Sequence, residues 1–423
     1  MGDVRLKGFL ERVRADDALK KFFSAVKLKE PEVEGVEIDE GLGRVLAEDV
    51  YAECDVPPFD RSAMDGYAVR SIDTVGASTI NPLILKVVGF SEIGYYSTVT
   101  LRRFNAVRIS TGAPLPEGAD AVVMLEYTHD LGGDKIEVYR PVTPYENVSR
   151  RGEDVEKGDK VLERGTVLQP QDVGILVAVR RRKVKVLRRL KIAVLSTGDE
   201  LVELGEEMKP GKIIDVNRHA LIASVKDLGC EPIDIGIACD NLEDIKSKTS
   251  AGLKIADLVL VSGGISVGAK DLVSEAVKNM GKPGIIVRGI SMRPGMPTAL
   301  AAIGDKPLIL SPGSPVAALI SFNVFVKPIV AKMLRTPAGL VKGQVVKAKI
   351  ARKVASPTGL RTFLRVVVRK VDDEYTAEPV RASGSGIISS LVKANGMVVI
   401  PEWKEGLEKG EEVEVELLRP IPR

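Results

Sequence analysis

The sequence predicts a multidomain chain that combines an α/β layer with β-rich parts, and three observations carry that reading. At 423 residues it exceeds one ordinary core, so roughly two to four domains are expected. Between residues 189 and 335, aliphatic runs alternate with helical stretches, and each run ends in a Ser/Thr/Gly turn. On either side, short segments alternate at period two, as half-buried strands do. Aromatics are scarce at 4%, so Val, Ile, Leu and Ala must build the layers.

Along the chain, an amphipathic helix is expected from Val13 to Val26, with Ala15, Ala18, Leu19, Phe22 and Phe23 near one face. The pattern from Val33 to Val50 is less regular and runs into the turn-rich stretch Asp55-Val56-Pro57-Pro58-Phe59-Asp60. Leu83 to Val88 and Asn105 to Ile109 read as strands of a small β-rich unit over 53–146. Val173 to Val179 reads as a helix expected to return against the N-terminal helix, giving a discontinuous domain of 1–52 and 147–188. Next come three apolar runs, Lys191 to Leu195, Asp257 to Val261 and Pro307 to Leu310, with a helix over Ala220 to Leu228 between the first two. Strands and helices in alternation imply a mainly parallel sheet covered on both faces, here over 189–335. Beyond it, Gln344 to Ile350, Thr362 to Val371 and Glu411 to Leu417 alternate again, so 336–423 is expected to be a small β domain or barrel.

Charge and composition exclude several function classes. The 61 basic and 58 acidic residues nearly cancel to +3, which gives no strong pull toward nucleic acid or a membrane surface. The densest basic run, Arg180-Arg181-Arg182-Lys183 on to Arg188 and Arg189, reads as a polyanion patch or as an exposed strand; Val184 and Val186 at period two favour the strand. Cys54, Cys230 and Cys239 form no CxxC pair, which argues against a disulfide framework or structural zinc and fits a reducing, cytoplasmic setting. Two histidines, His129 and His219, leave little scope for His-based catalysis. The N-terminus has no apolar signal core, and no uninterrupted apolar run approaches the roughly 18 residues a bilayer requires.

The chemistry is expected at the turns after the three strands. Parallel sheets bind ligands beyond the carboxyl ends of their strands, which is where Ser196-Thr197-Gly198-Asp199-Glu200, Ser262-Gly263-Gly264 and Pro312-Gly313-Ser314 fall. Any one of these is an ordinary α/β turn. Three together, rich in glycine and hydroxyls, let backbone N–H groups approach a phosphate or other oxyanion. Asp199, Glu200, Asp240 and Asp271 lie in or just after such loops, and carboxylates near phosphate call for a cation between them. Mg²⁺, held by one or two carboxylates plus substrate phosphates, fits that need. Arg293, on a segment pinned by Pro294, Gly295 and Pro297, could grip a tetrahedral dianion bidentately. Neither a G-x-G-x-x-G fingerprint nor a Walker A lysine loop is present, which argues against dehydrogenase and P-loop chemistry.

Together these stretches resemble the MoeA family, whose eukaryotic relatives include the enzymatic domain of gephyrin. The resemblance rests on Pro57-Pro58-Phe59-Asp60-Arg61-Ser62-Ala63-Met64-Asp65-Gly66-Tyr67-Ala68-Val69, Arg108-Ile109-Ser110-Thr111-Gly112-Ala113-Pro114, Leu195 to Leu201, Ser262-Gly263-Gly264-Ile265-Ser266-Val267-Gly268 and Pro312-Gly313-Ser314-Pro315-Val316. It runs collinearly from about residue 15 to the C-terminus. It implies an elongated homodimer whose subunit has a three-layer, adenylyltransferase-like α/β domain, a β-rich domain, a discontinuous helical/β linker domain and a C-terminal β-barrel-like domain.

The implied activity is that of a molybdopterin molybdenumtransferase: adenylylated molybdopterin and molybdate, or tungstate, react with Mg²⁺ to give the molybdenum cofactor and AMP. By this likeness Asp65, Thr111, Glu200, Asp240 and Asp271 are the catalytic candidates, with Glu200, Asp240 and Asp271 holding Mg²⁺. Asp65 and Thr111 would face the α/β cleft of the partner subunit. Ser196, Thr197, Gly198, Ser262, Gly263, Gly264, Ser266, Arg293, Pro312, Gly313, Ser314 and Arg365 would bind substrate, and a pterin adenylyltransferase is the implied partner.

Three positions depart from the family pattern. Gly289 falls where many members carry lysine, with Arg288 as the adjacent cation; Met296 replaces a lysine and Ser314 an asparagine. These bear on oxyanion selectivity and on the grip on the pterin rather than on the reaction class. Two rivals remain. Pterin adenylylation by the α/β domain leaves the β-rich and terminal domains without a role. A scaffold of the gephyrin kind would release no AMP.

Overall fold

In the computed structural model, which describes residues 12–265, 271–336, 343–371, 373–381 and 384–422, the chain divides into two compact units. One is Gly35–Val186, and the other joins Met1–Glu34 to Leu187–Arg423.

The Gly35–Val186 unit is built on an open six-stranded sheet, in the order Ala121–Met124, Gly66–Val69, Asn105–Ile109, Leu83–Ser91, Lys135–Val138 and Thr128–Gly132. Period-two alternation gives it two apolar faces: Tyr67, Val69, Leu85, Ala106, Val123 and Ile136 on one, Ala68, Val107, Ile109 and Val122 on the other. A second core gathers Leu46 and Val50 with Leu168, Leu176, Val184 and Val186. The expected helix is present as Pro170–Ala178. The basic run is a strand, Lys183–Leu187, with Val184 and Val186 buried. Its cations meet acids, Arg181 with Glu53 at 3.2 Å, Arg182 with Glu37 at 3.3 Å and Lys183 with Glu37 at 3.2 Å.

In the other unit the α/β sheet runs Glu231–Ala238, Lys191–Thr197, Leu258–Ser262, Lys306–Ser311, Ala299–Ile303 and Pro283–Arg288. The first four strands are parallel, and Ala299–Ile303 runs antiparallel to both of its neighbours. Ile192, Val194, Leu258, Leu260 and Ile309 bury one face under the helix Val216–Asp227 and the long helix Pro315–Met333. Ala193, Leu195, Val259, Val261 and Leu310 bury the other under Leu242–Ile255 and Leu272–Lys278.

The N-terminal helix, Ala15–Ala25, also lies on the first face: Ala15, Ala18 and Phe22 join the core of Ile290, Leu300 and Val330. Expected as part of the discontinuous linker domain, it packs on the α/β core instead, because its apolar stripe meets a preformed apolar surface there.

Pro315–Met333 reaches 19 residues, long and apolar enough to cross a bilayer. Ser321, Asn323 and Lys327 interrupt the apolar run, and most of the helix is buried inside the protein. It is a core helix, with a π-helical turn at Phe322–Val326.

The C-terminal strands form a closed barrel. Arg361–Val371 pairs with Glu374–Arg381, then Val345–Ile350, Glu412–Leu417 and Gly396–Ile400 follow, and the last pairs back with Arg361–Val371. Met292–Arg293, from the α/β part, adds to Arg361–Val371 in parallel.

Two ion-pair systems brace this unit. Arg218, 4% exposed, binds Asp215 at 3.0 Å, Asp234 at 2.5 Å and the carboxylate of Glu203. Arg188 binds Asp257 bidentately at 2.7 Å through both nitrogens, and the Lys191 N–H donates to the same carboxylate at 2.8 Å. Burial alone would raise the Asp257 pKa, but the Arg188 guanidinium and the Lys191 N–H outweigh it and hold the carboxyl below its ordinary value.

Two stability predictions follow from these groups. Arg218→Ala leaves the buried Asp215 carboxylate without its cation and should destabilise this unit by about 3 kcal/mol, read as a shift of its urea midpoint. Because the folded pKa of Asp257 is depressed, its contribution is complete above the unfolded value of about 4 and fades as pH falls through the folded one. The melting-temperature gap between wild type and Asp257→Asn should therefore be full near neutrality and close on acidification; a gap independent of pH would refute the assignment.

Candidate active site

The carboxyl edge of the parallel sheet carries a row of hydroxyls. Ser196, Ser262 and Ser311 stand side by side in register on adjacent strands. By period two they share the face of Val194, Leu260 and Ile309, toward the helix Val216–Asp227. All three are buried, as is Thr197 on the opposite face.

The chain turns sharply just beyond. Gly263 has φ +99°, and a Cβ there would lie 2.3 Å from the Thr197 carbonyl oxygen; a Cβ on Gly264 would lie 2.6 Å from Thr197 Oγ1. Only glycine lets these two loops touch. Asn217, in the first turn of the helix, donates to Ser262 Oγ at 2.9 Å and to the Gly313 carbonyl at 2.9 Å, joining the second loop to the third. Ser266 lies outside the described residues.

The acids of the first loop gather in one place. Asp199 Oδ1 accepts from the Asp240 N–H at 3.0 Å, and Asp240 Oδ2 accepts from the Asp199 N–H at 3.4 Å. The Glu200 carboxylate lies against Gly198, whose added Cβ would meet Glu200 Oε2 at 2.6 Å. The Lys212 ammonium donates to the Asp199 carbonyl, and the Ile213 N–H donates to the Glu200 carbonyl at 2.8 Å.

Arg218 holds the far end of the loop through Glu203 and Asp215. Asp271 is engaged elsewhere: it caps a short helix through the Ser274 N–H at 2.9 Å and the Ser274 hydroxyl at 2.7 Å, and pairs with Arg288 at 2.7 Å. Among the described residues, no group of three or more His, Cys, Asp or Glu side chains is arranged to hold a metal ion. Mg²⁺ takes most of its ligands from phosphate and water, so a site for it needs no more than one or two carboxylates.

Arg293 and Arg365 line one cavity of about 510 Å³ with Ser314, Ser385, Pro312 and Leu360. The Met292–Arg293 strand on the barrel edge carries Arg293, while Arg365 sits in the barrel strand with 1% of its surface exposed. The Val316 N–H donates to the Ser385 carbonyl at 3.0 Å, so the third loop and the barrel loop are stitched at the cavity wall. Arg365 donates to the Phe363 carbonyl at 3.2 Å, which leaves Arg293 the more exposed of the two arginines lining the recess.

Asp65 and Thr111 meet in the Gly35–Val186 unit. The Thr111 N–H donates to Asp65 Oδ1 at 2.7 Å and the Thr111 hydroxyl to the same oxygen at 3.0 Å. The backbone donor first, then the hydroxyl, hold the exposed Asp65 carboxyl below its ordinary pKa.

The expected residues thus gather into three groups: the serine-edged loops with Glu200 and Asp240, the Arg293–Arg365 cavity, and the Asp65–Thr111 pair. Sequence reading missed Asn217, Lys212, Arg218 and Ser385. Only Asn217 and Arg218 carried a usable signal, as polar residues entering a helix just after the capping Asp215.

Comparison with known proteins covers nearly the whole chain. The family described as "MoeA N-terminal region (domain I and II)" matches residues 13–179, "Probable molybdopterin binding domain" matches 193–332, and "MoeA C-terminal region (domain IV)" matches 347–418. A chain from Methanocaldococcus jannaschii is 40% identical over 395 residues, 92% of each sequence. The molybdopterin molybdenumtransferase of Bacillus subtilis is 34% identical over 396 residues, 92% of this chain and 91% of that one. The crystal structure of the molybdopterin biosynthesis moeA protein from Pyrococcus horikoshii superposes with a TM-score of 0.82 at 34% identity, covering 96% of this chain and all of that one. By matches that span all of its parts in order, this chain belongs to the MoeA family.

Proposed function

We propose that this enzyme of molybdenum cofactor biosynthesis inserts molybdate or tungstate into adenylylated molybdopterin and releases AMP in a Mg²⁺-dependent reaction. One observation carries the reading: the Pro312–Ser314 loop closes the hydroxyl-lined sheet edge and also borders the cavity that holds Arg293 and Arg365. A phosphate-compatible edge and a dianion-compatible cavity thus share a loop, as a reaction joining an oxyanion to a pterin nucleotide requires.

In this proposal Gly198, Gly263, Gly264 and Gly313 let the loops that carry Ser196, Thr197 and Ser262 close together, so that their backbone N–H groups meet a pyrophosphate. Glu200 and Asp240 would hold Mg²⁺; Asp271 would join them only by exchanging its contacts with Ser274 or Arg288. When bound, Mg²⁺ would neutralise the pyrophosphate and make its phosphorus a better electrophile. Arg293 and Arg365 hold the oxyanion by charge-assisted hydrogen bonds, with Ser314 at the cavity wall. The single positive charge on each arginine offsets the approach of a dianion to a charged nucleotide.

Asp65, kept ionised by Thr111, acts on the α/β site of a second copy, so a homodimer belongs to this proposal. So do the division into four domains, supply of substrate by a pterin adenylyltransferase, and a cytoplasmic setting in which Cys54, Cys230 and Cys239 stay free thiols.

The direct test supplies purified protein with adenylylated pterin, Mg²⁺ and either oxyanion, and measures AMP. Glu200→Ala and Asp240→Ala should keep the wild-type circular dichroism and lose oxyanion-dependent AMP release by about a hundredfold or more. Wild-type turnover in both would sink the assignment. Arg293→Ala should raise the molybdate concentration for half-maximal rate by about tenfold, the loss of one charge-assisted pair, with less effect on pterin binding. An unchanged molybdate requirement would remove Arg293 from the oxyanion site.

A further inference from the structure

The loop that brings Arg293 to its cavity is tied down by two fully buried hydroxyls, those of Thr298 and Ser321. The Thr298 hydroxyl donates to the Gly295 carbonyl at 2.6 Å and lies 2.7 Å from Ser321 Oγ. The Thr298 N–H donates to the same carbonyl at 3.0 Å. A hydroxyl has one hydrogen and a carbonyl can only accept, so the Thr298 hydrogen goes to Gly295 and Ser321 donates to Thr298. The chain neighbours Ala299, Ile320 and Phe322 are core residues, and two apolar side chains of the same shape would cost such a core little. The hydroxyls therefore answer a demand of geometry rather than of stability. Gly295 and Met296 line one wall of the cavity, while Ser314 and Ala317, where the helix Pro315–Met333 begins, line another. Ser321 lies one helical turn beyond Ala317 on the same face, so the hydroxyl pair joins the two walls. Gly295 has φ +112°, and a Cβ there would lie 2.3 Å from Met292 Cε and 3.3 Å from Ser321 Oγ, so the turn rests directly on the helix.

We infer that Thr298, backed by Ser321, is a positioning residue for oxyanion binding: it fixes the Arg293 loop against the helix and so sets the spacing of the cavity walls. The inference rests on the oxyanion reading of Arg293 and deepens it. The backbone of Arg293 is held on one side by the pairing of Met292 and Arg293 with Arg361 and Thr362. On the other side the chain leaves that strand and turns through Gly295, whose carbonyl takes both Thr298 bonds. Without the hydroxyl the strand still holds Arg293 at one end, while the turn is free to lift from the helix and carry the guanidinium off its line. Thr298 touches no ligand in this account and acts through Arg293 alone, which a double variant can show.

The test measures molybdate binding to the purified full chain by equilibrium dialysis. Thr298→Val keeps the shape of the side chain, removes its hydrogen bonds and should weaken binding about fivefold, whereas Thr298→Ser should stay within about twofold of wild type. Ser321→Ala removes only the outer bond and should weaken binding about twofold, which keeps the comparison open if the valine variant misfolds. In an Arg293→Ala background Thr298→Val should weaken binding no further, because the hydroxyl acts through the arginine. Wild-type affinity in the Thr298→Val or Ser321→Ala variant would overturn the inference. So would a serine variant as weak as valine, or a valine loss that adds in full to that of Arg293→Ala. An Arg293→Ala variant that binds as wild type does, or wild type that binds no molybdate, would bring down the oxyanion reading itself and the inference with it.

Discussion

The loop that presents Glu200 depends on one guanidinium. Arg218 is buried at the first turn of a helix and binds the helix-capping Asp215, Glu203 at the far end of the loop and Asp234 on the edge strand. A planar group with five donors can satisfy three carboxylates from three elements at once, which a lysine could not do. The loop between the strand end at Thr197 and the helix start at Val216 is long and mostly exposed, so little apolar burial orders it. Its order comes from Arg218, from the short pairing of Leu201–Val202 with Ile213–Ile214, and from the exchange of hydrogen bonds between Asp199 and Asp240. The carboxylates of the site are therefore held by charge rather than by packing.

The hydroxyl edge beside that loop is positioned in the opposite way. Its residues end strands whose Val, Leu and Ile side chains are fully buried between two helical layers. Close packing leaves such strands little freedom to shift, and their in-register pairing places Ser196, Ser262 and Ser311 in a line. The site thus joins a rigid wall to a loop secured by ion pairs. Asn217 and the Pro312–Ser314 loop couple the wall to the cavity that Arg293 and Arg365 line from paired strands.

Much of this was legible in the residues. The aliphatic runs ending at Thr197, Ser262 and Ser311 announced a parallel sheet, and the Ser/Gly residues after them announced the turns at its carboxyl edge. The Ala15–Phe22 stripe announced a helix but not the surface it would cover, because a stripe specifies that a face is buried and says nothing about the partner. The antiparallel strand Ala299–Ile303 was equally silent: four buried apolar positions in a row look the same in either direction. The acids were visible too, but their sequence spacing could not separate Glu200 and Asp240, which line the loop, from Asp271, which Ser274 and Arg288 already occupy.

By itself, the sequence determined the period of each element, the residue types at each turn and the balance of charge, since these depend on neighbours within a few positions. Only the tertiary structure decided which distant groups share a space. Arg293 and Arg365 lie far apart along the chain and line one cavity because the Met292–Arg293 strand pairs with the barrel. Asn217 became a bridge between loops because its helix crosses the end of the sheet. Those contacts follow from sheet order and helix docking, which arise when many weak burial energies are satisfied together and which no local pattern encodes.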